Sequence, residues 1–293
     1  SERELEWSEI RGVGVGIPAP MNDAGILLDE ANLGHEAWKG WNAQLAIKDY
    51  FKDCAVVVVE NDANAAAYGD YCMLPAQQRS GVILSVTVSN GVGGGLIVDG
   101  DIRRGQGSAG ELGRLPISMK PYGYYRCGAW QSARAAEPVS ATVESFGSTR
   151  ALSRQLEEIF TDSTFDPMLR HPLWEAGRTD SSGTSYSSMA QQLPIVAQQG
   201  EELSCQLYCL REEALGHLFA AIALVCDPHI FIVGGDIFRQ LDDSFKETFI
   251  QGIQENLERQ LGVVKTYNII ASALGADAAV FGAAMLARDA SRR

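Results

Sequence analysis

The sequence predicts an α/β fold, and three observations predict it. Apolar, largely β-branched runs alternate with segments of helix length along the chain. One run, residues 55–59, reads Ala-Val-Val-Val-Val, the pattern of a strand buried on both faces of a parallel sheet. Polar or glycine-rich motifs follow the ends of such runs, where open α/β sheets bind ligands. With 293 residues and 46% hydrophobic content, the chain is long enough for two domains.

The elements follow in order. Residues 12–17 read as a strand, stopped by Pro18-Ala19-Pro20. A helix is expected over about 41–51, the buried strand over 55–59, and a second helix over 61–71. Strands over 80–88 and 95–98 read as a hairpin whose loop is Ser89 to Gly94. Residues 160–195 change character. Ser, Thr, Asp and Gly cluster there with Pro167 and Pro172, and the segment reads as a long surface excursion, partly disordered. One long helix is expected over 197–225, ended by Asp227-Pro228. A buried strand over 229–233 turns at Gly234-Gly235-Asp236. A helix over about 238–261, a strand near 267–271 and a helix over about 277–290 complete the chain.

Bulk properties exclude several roles. The net charge is −13, and no run of Lys and Arg offers a basic patch, which argues against direct nucleic-acid binding by this chain. No apolar run approaches the roughly 20 residues that span a bilayer, so no membrane association is expected. The charged start at Ser1 to Trp7 lacks a signal-peptide core, and the chain reads as cytoplasmic. Its six cysteines are then expected to be reduced. Cys205 and Cys209, one helical turn apart, read as two small apolar residues on one face rather than as a metal pair.

Four segments carry candidate chemistry. Glu60-Asn61-Asp62-Ala63-Asn64 follows the buried strand; a carboxylate there can take a proton from a substrate hydroxyl, or Asn61 and Asp62 can simply cap a helix. Ser89-Asn90-Gly91-Val92-Gly93-Gly94-Gly95 reads as a phosphate loop or as a tight hairpin turn. Gly105 to Arg114 places Glu111 among small residues, suited to hydroxyl recognition or to an exposed turn. Asp227 to Asp236 brings Gly234-Gly235 to a strand's end, allowing close approach of a flat ligand or of a helix.

Taken together and in this order, these segments resemble the ROK family (repressor, open reading frame, kinase). The resemblance adds Gly16-Ile17-Pro18-Ala19-Pro20, Asn32-Leu33, Val143-Glu144 and Gly282-Ala283-Ala284, and spans nearly the whole chain. It implies a two-domain actin-like ATPase (ribonuclease H-like) fold. Residues 1–77 plus 276–293 would form a first, incomplete α/β domain, and residues 78–275 the second. It implies a small-molecule sugar in the cleft, faced by Asn32, Asn61, Asp62, Glu111, Arg114 and Glu144, with Asp62 matching the catalytic base of the kinases. Asn90, Gly91, Gly93 and Gly94 match the phosphate contact, and Gly234 and Gly235 the nucleotide contact. A homo-oligomer is also implied.

The chain departs from the family pattern at four places. The family's D-x-G-G-T phosphate loop would precede Ser1. Asn90 replaces the threonine of the G-T-G loop. Arg114 replaces a zinc-ligating histidine, and an arginine has no lone pair to give. The C-x-C-G-x-x-G-C cluster is reduced to Cys127-Gly128, with Tyr125 and Thr142 at two ligand positions, so zinc is not expected. The sugar-facing set is better kept than the ATP-facing set. That imbalance favours the effector-sensing part of a sugar-responsive repressor, whose winged helix would lie upstream. The alternative is an ATP-dependent hexose or N-acetylhexosamine kinase using ATP and Mg, with Asp62 as general base.

Overall fold

The computed structural model describes residues 9–30, 33–52, 54–119, 139–161, 171–179, 183–262 and 266–292. Strands β1 (Gly12–Ile17) and β2 (Val56–Asn61) pair in parallel, Gly12 opposite Val56 and Ile17 opposite Asn61. Helix α1 (Ala43–Tyr50) lies between them in sequence, capped by Asn42, whose side chain accepts from the Leu45 N–H at 2.8 Å. Ile17, Ala19, Met21, Leu27, Ala43 and Val59 form a small apolar cluster there. Helix α2 (Asp62–Met73) begins on the residue after β2, because Asn61 serves as its N-cap.

Strands β3 (Val82–Val88), β4 (Val92–Val98) and β5 (Asp101–Ile102) form an antiparallel meander. A second ribbon pairs β6 (Pro116–Met119) with β7 (Val139–Thr142). Helices α3 (Val143–Gly147), α4 (Thr149–Thr161) and α5 (Pro172–Ala176) follow, then the short pair β8 (Arg178–Thr179) and β9 (Gly183–Thr184). Helix α6 (Tyr186–Gln198) and the long α7 (Glu202–Cys226) lead to β10 (Ile230–Gly234), α8 (Asp243–Leu261), β11 (Asn268–Ala271) and α9 (Ala278–Ala290). The main sheet has the order β11-β10-β3-β4-β5, its β3, β10 and β11 parallel. Every residue of β10 is buried, as its unbroken apolar run requires. Against it lies the main core, where Phe219 stacks on Phe231 at 4.5 Å between centroids and Tyr208 meets Phe249 edge-on.

The structure corrects several expectations. The supposed excursion is built into the core where it is described: α5 and α6 bury Leu173, Met189 and Leu193 completely. Of its polar residues, Ser185 caps α6 and Ser187 and Ser188 lie in its first turn, and Pro194 sits inside α6. The long helix starts at Glu202, not 197, because Gly200 takes a left-handed φ of +79° and Glu201 caps α7. The hairpin loop is shorter than expected, since β4 begins at Val92. Helix α8 begins at Asp243, capped by Asp242, and Phe238 belongs to a separate single turn.

The last helix returns to the start of the chain. Helix α9 packs on α2 and β1, and the Tyr68 hydroxyl donates to Asp289 Oδ2 at 2.8 Å. The helices approach so closely that a Cβ added to Gly282 would lie 1.7 Å from the Ala65 carbonyl oxygen. Gly282→Ala is therefore expected to cost about 3 kcal/mol or more, the upper end for overpacking. Urea unfolding would measure it, and wild-type stability in that variant would mean the two helices do not meet. Buried Asp70 ties α2 to the main sheet, accepting from Ser85 Oγ at 2.6 Å and Ser272 Oγ at 2.5 Å.

Candidate functional site

A cavity of about 650 Å³ opens between the β2–α2 junction, the β3–β4 turn, residues 110–114, the start of α3 and α4, and the turns after β10 and β11. Asn61, Asp62, Asn90, Gly91, Gly93, Glu111, Arg114, Glu144 and Gly235 all line it. These residues lie up to 174 positions apart in sequence, from 61 to 235, and the topology collects them. Gly94 and Gly234 are not on its wall. Asn32 lies outside the described residues, as do Tyr125 and Cys127 of the reduced cysteine cluster. Thr142 is placed at the N-cap of α3, with its hydroxyl 3.0 Å from Ser145 Oγ.

Three carboxylates converge here, and each spends one oxygen on the protein. Asp62 Oδ1 accepts from the Ala63 N–H at 2.8 Å. Glu144 Oε2 accepts from the Val92 N–H at 2.9 Å, which pins the β3–β4 turn. Glu111 Oε2 pairs with Arg114 Nε at 3.1 Å. The second oxygen of each has no hydrogen-bond partner among the described residues. A carboxylate oxygen with its lone pairs open is an acceptor for a hydroxyl. Burial raises the pKa of Asp62, partly opposed by the Ala63 N–H. Burial also raises that of Glu111; Arg114 opposes the rise, while Asp62, Asp29 and Glu144 add to it. Arg114 bridges Glu111 to Asp29, its Nη2 lying 3.2 Å from Asp29 Oδ2, and so offsets the crowding of negative charge.

Local structure explains each placement. Asn61 is occupied as a scaffold: its Oδ1 accepts from the Asn64 N–H at 3.0 Å and its Nδ2 donates to the Ala19 carbonyl at 3.2 Å. The helix-capping reading therefore holds for Asn61, while Asp62 turns into the cavity. Glu60, beneath them, is only 2% exposed and pairs with Arg104 Nε at 2.7 Å and Nη2 at 2.5 Å. Gly110 adopts φ +99°, and a Cβ there would lie 2.4 Å from the Gly94 oxygen, so only glycine lets Glu111 sit this close to β4.

The glycines of the supposed phosphate loop divide. Gly94 and Gly95 serve packing, since added Cβ atoms would meet Leu112 at 2.5 Å and Ala67 at 2.5 Å. Gly235, at φ +90°, presses against the Val88 backbone and lines the cavity beside β3. Gly234 instead faces Ser272, 2.9 Å from an added Cβ, and so packs β10 on β11.

Sequence reasoning missed Ser89, Arg150 and Asp236 as parts of the wall. Ser89 donates its hydroxyl to Asp236 Oδ2 in a short bond, and Asp236 also pairs with Arg239 at 2.8 Å. The signal for Asp236 was its place directly after the Gly-Gly turn. Arg150 had no local signal, because it belongs to none of the motifs and follows Val143-Glu144 at the start of the next helix. Among the described residues, no group of three or more His, Cys, Asp or Glu is arranged to hold a metal ion. No helix there is long and apolar enough to cross a membrane.

Comparisons with known proteins agree with this arrangement. The chain is 31% identical over 237 residues to a glucokinase of Streptomyces coelicolor, an alignment covering 80% of this chain and 67% of that protein. The crystal structure of a ROK family glucokinase from Streptomyces griseus, in complex with glucose and AMPPNP, superposes with a TM-score of 0.71 at 25% identity, covering 96% of this chain and 82% of that one. A ROK family transcriptional regulator, a homologue of the E. coli MLC protein, superposes at 0.61 and 20% identity, covering 94% of this chain and 61% of that one, and shows the fold alone. The mixed α/β architecture is thus that of the actin-like sugar kinases. The ROK family model matches residues 2–290, and the chain belongs to the ROK family.

Proposed function

We propose that this protein is an ATP-dependent sugar kinase, with the cavity as its sugar site and Asp62 as general base. The observation that carries the reading is the trio of Asp62, Glu111 and Glu144, each holding one oxygen open toward the same space. Such a set suits a polyol, because each carboxylate oxygen can take a hydroxyl proton in a charged hydrogen bond. The kinase relatives support this reading over the sensor that the sequence alone favoured.

In the proposed reaction, the Asp62 carboxylate accepts the proton of one sugar hydroxyl while its oxygen attacks the terminal phosphorus of ATP. The bond from that phosphorus to the ADP oxygen breaks, and ADP leaves. Asn90 and Gly91 line the wall on which the transferred group would rest, with Gly235 toward the nucleotide. Mg would accompany ATP as part of the substrate. Glu111 and Glu144 orient the sugar, and Arg114 keeps Glu111 in place.

The test is a thermal-shift and calorimetric screen of hexoses and N-acetylhexosamines on the full-length protein, with and without Mg-ATP. At least one sugar is expected to raise the melting temperature, and Glu144→Gln to weaken that sugar by about tenfold or more, from roughly 1.5–3 kcal/mol per charged hydrogen bond. A sugar affinity indifferent to both Asp62→Asn and Glu144→Gln would remove the cavity as the site. Sugar binding with no sugar-dependent ATP turnover would return the reading to a sensor.

A further inference from the structure

The cavity wall holds two arginines, and they differ in how their charge is met. Arg114 is committed to Glu111 and Asp29. Arg150 is exposed on the wall and has no acidic partner among the described residues. It is the second residue of α4, a helix of 13 residues. The first, Thr149, donates its N–H to the Ser89 carbonyl at 2.8 Å, which ties the helix start to the β3–β4 turn. The positive end of the helix dipole is thus set beside Ser89, Asn90 and Gly91.

A second arginine stands behind the same point. Arg211 on α7 is 3% exposed, its guanidinium 5.7 Å from the Tyr208 ring centroid. Its Nη2 lies 3.5 Å from Thr149 Oγ1, and its Nε has no acceptor among the described residues. No carboxylate pairs with it among those residues. A buried charge without a counter-ion is costly, and folds keep one where an anion compensates it. Among the described residues its partners are the neutral side chains of Thr149 and Tyr208, and the charge lies behind the helix start that borders the cavity.

We propose that the start of α4, with Arg150 on the wall and Arg211 behind it, is a subsite for a phosphate dianion. That dianion is the terminal phosphoryl group of a nucleotide or the same group carried by a phosphorylated sugar. The inference rests on the kinase reading for its ligands, and it deepens that reading. Arg150 would touch the phosphate, whereas Arg211 acts through the helix start and is a positioning residue.

The experiment is calorimetry on the full-length protein with four probes: inorganic phosphate, Mg-ATP, glucose 6-phosphate and glucose. Arg150→Ala is expected to weaken inorganic phosphate and at least one phosphorylated ligand by about tenfold or more, with glucose moving less than about twofold. Arg150→Lys should restore most of the loss. A loss confined to Mg-ATP assigns the subsite to the donor, and one confined to glucose 6-phosphate assigns it to the product. Arg211→Met should weaken phosphate while leaving the melting temperature unchanged or raised, because it removes an uncompensated buried charge. A purely structural Arg211 would give the opposite pair of results. The proposal is overturned if no phosphate-bearing probe binds the wild type, if Arg150→Ala leaves all of them unchanged, or if glucose loses as much as they do. Phosphate binding through Arg150 in a protein that binds no sugar would instead overturn the kinase reading and leave the subsite standing.

Discussion

Asp62→Asn is expected to lower kcat for sugar phosphorylation by about 10³-fold, within the 10²–10⁴ range of general-base catalysis. Sugar affinity should fall by no more than about tenfold, since asparagine keeps one acceptor oxygen at the same place. The split between kcat and affinity separates a base from a mere binding contact. The pH profile gives an independent reading. Burial raises the Asp62 pKa, so the base is ionised and active above that raised value and is lost as pH falls through it. The acid limb of kcat/KM should therefore lie above the usual aspartate value of about 3.9 and vanish in the asparagine variant. A kcat that is retained while sugar affinity falls, or an unchanged acid limb in the asparagine variant, would place the base elsewhere.

Arg104→Met is expected to destabilise the protein by about 3 kcal/mol. The variant leaves the Glu60 carboxylate 2% exposed, held only by the Asn61 N–H at 3.0 Å and Asn64 Nδ2 at 3.1 Å. Removing one partner of a buried pair costs about 3–5 kcal/mol. The low end applies because the Arg104 side chain is 32% exposed and water already screens it. At roughly 2–4 °C per kcal/mol for a chain of this size class, the melting temperature should drop by about 6–12 °C. Glu60→Gln combined with Arg104→Met should recover much of the loss, since the stranded charge is then gone. Additive losses in that double variant would show that the pair is not coupled. The pair also joins the β2–α2 junction to the segment leading to Glu111, so sugar affinity should fall in Arg104→Met and return in the double variant.

The sequence by itself determined the class of fold, the strands and helices up to residue 98 and from about 200 onward, and most of the residues that line the candidate cavity. Strand periods, the cap at Asn61 and the stop at Asp227-Pro228 are local properties, carried by neighbours within a few residues. The motif residues Asp62, Glu111 and Glu144 were legible because each follows a recognisable pattern in a fixed order. Other features depend on residues distant in sequence, and only the tertiary structure decided them. The polar stretch at 160–195 became core in its described parts because α7 and the main sheet offered a surface to Leu173, Met189 and Leu193. The glycine run at 93–95 became mostly a packing face because α2 lies against β4. The Glu60–Arg104 pair joins positions 44 apart, and Arg211 meets Thr149 across 62. Local sequence fixes backbone preference over a few residues; burial and the pairing of charges are set by which surfaces finally meet.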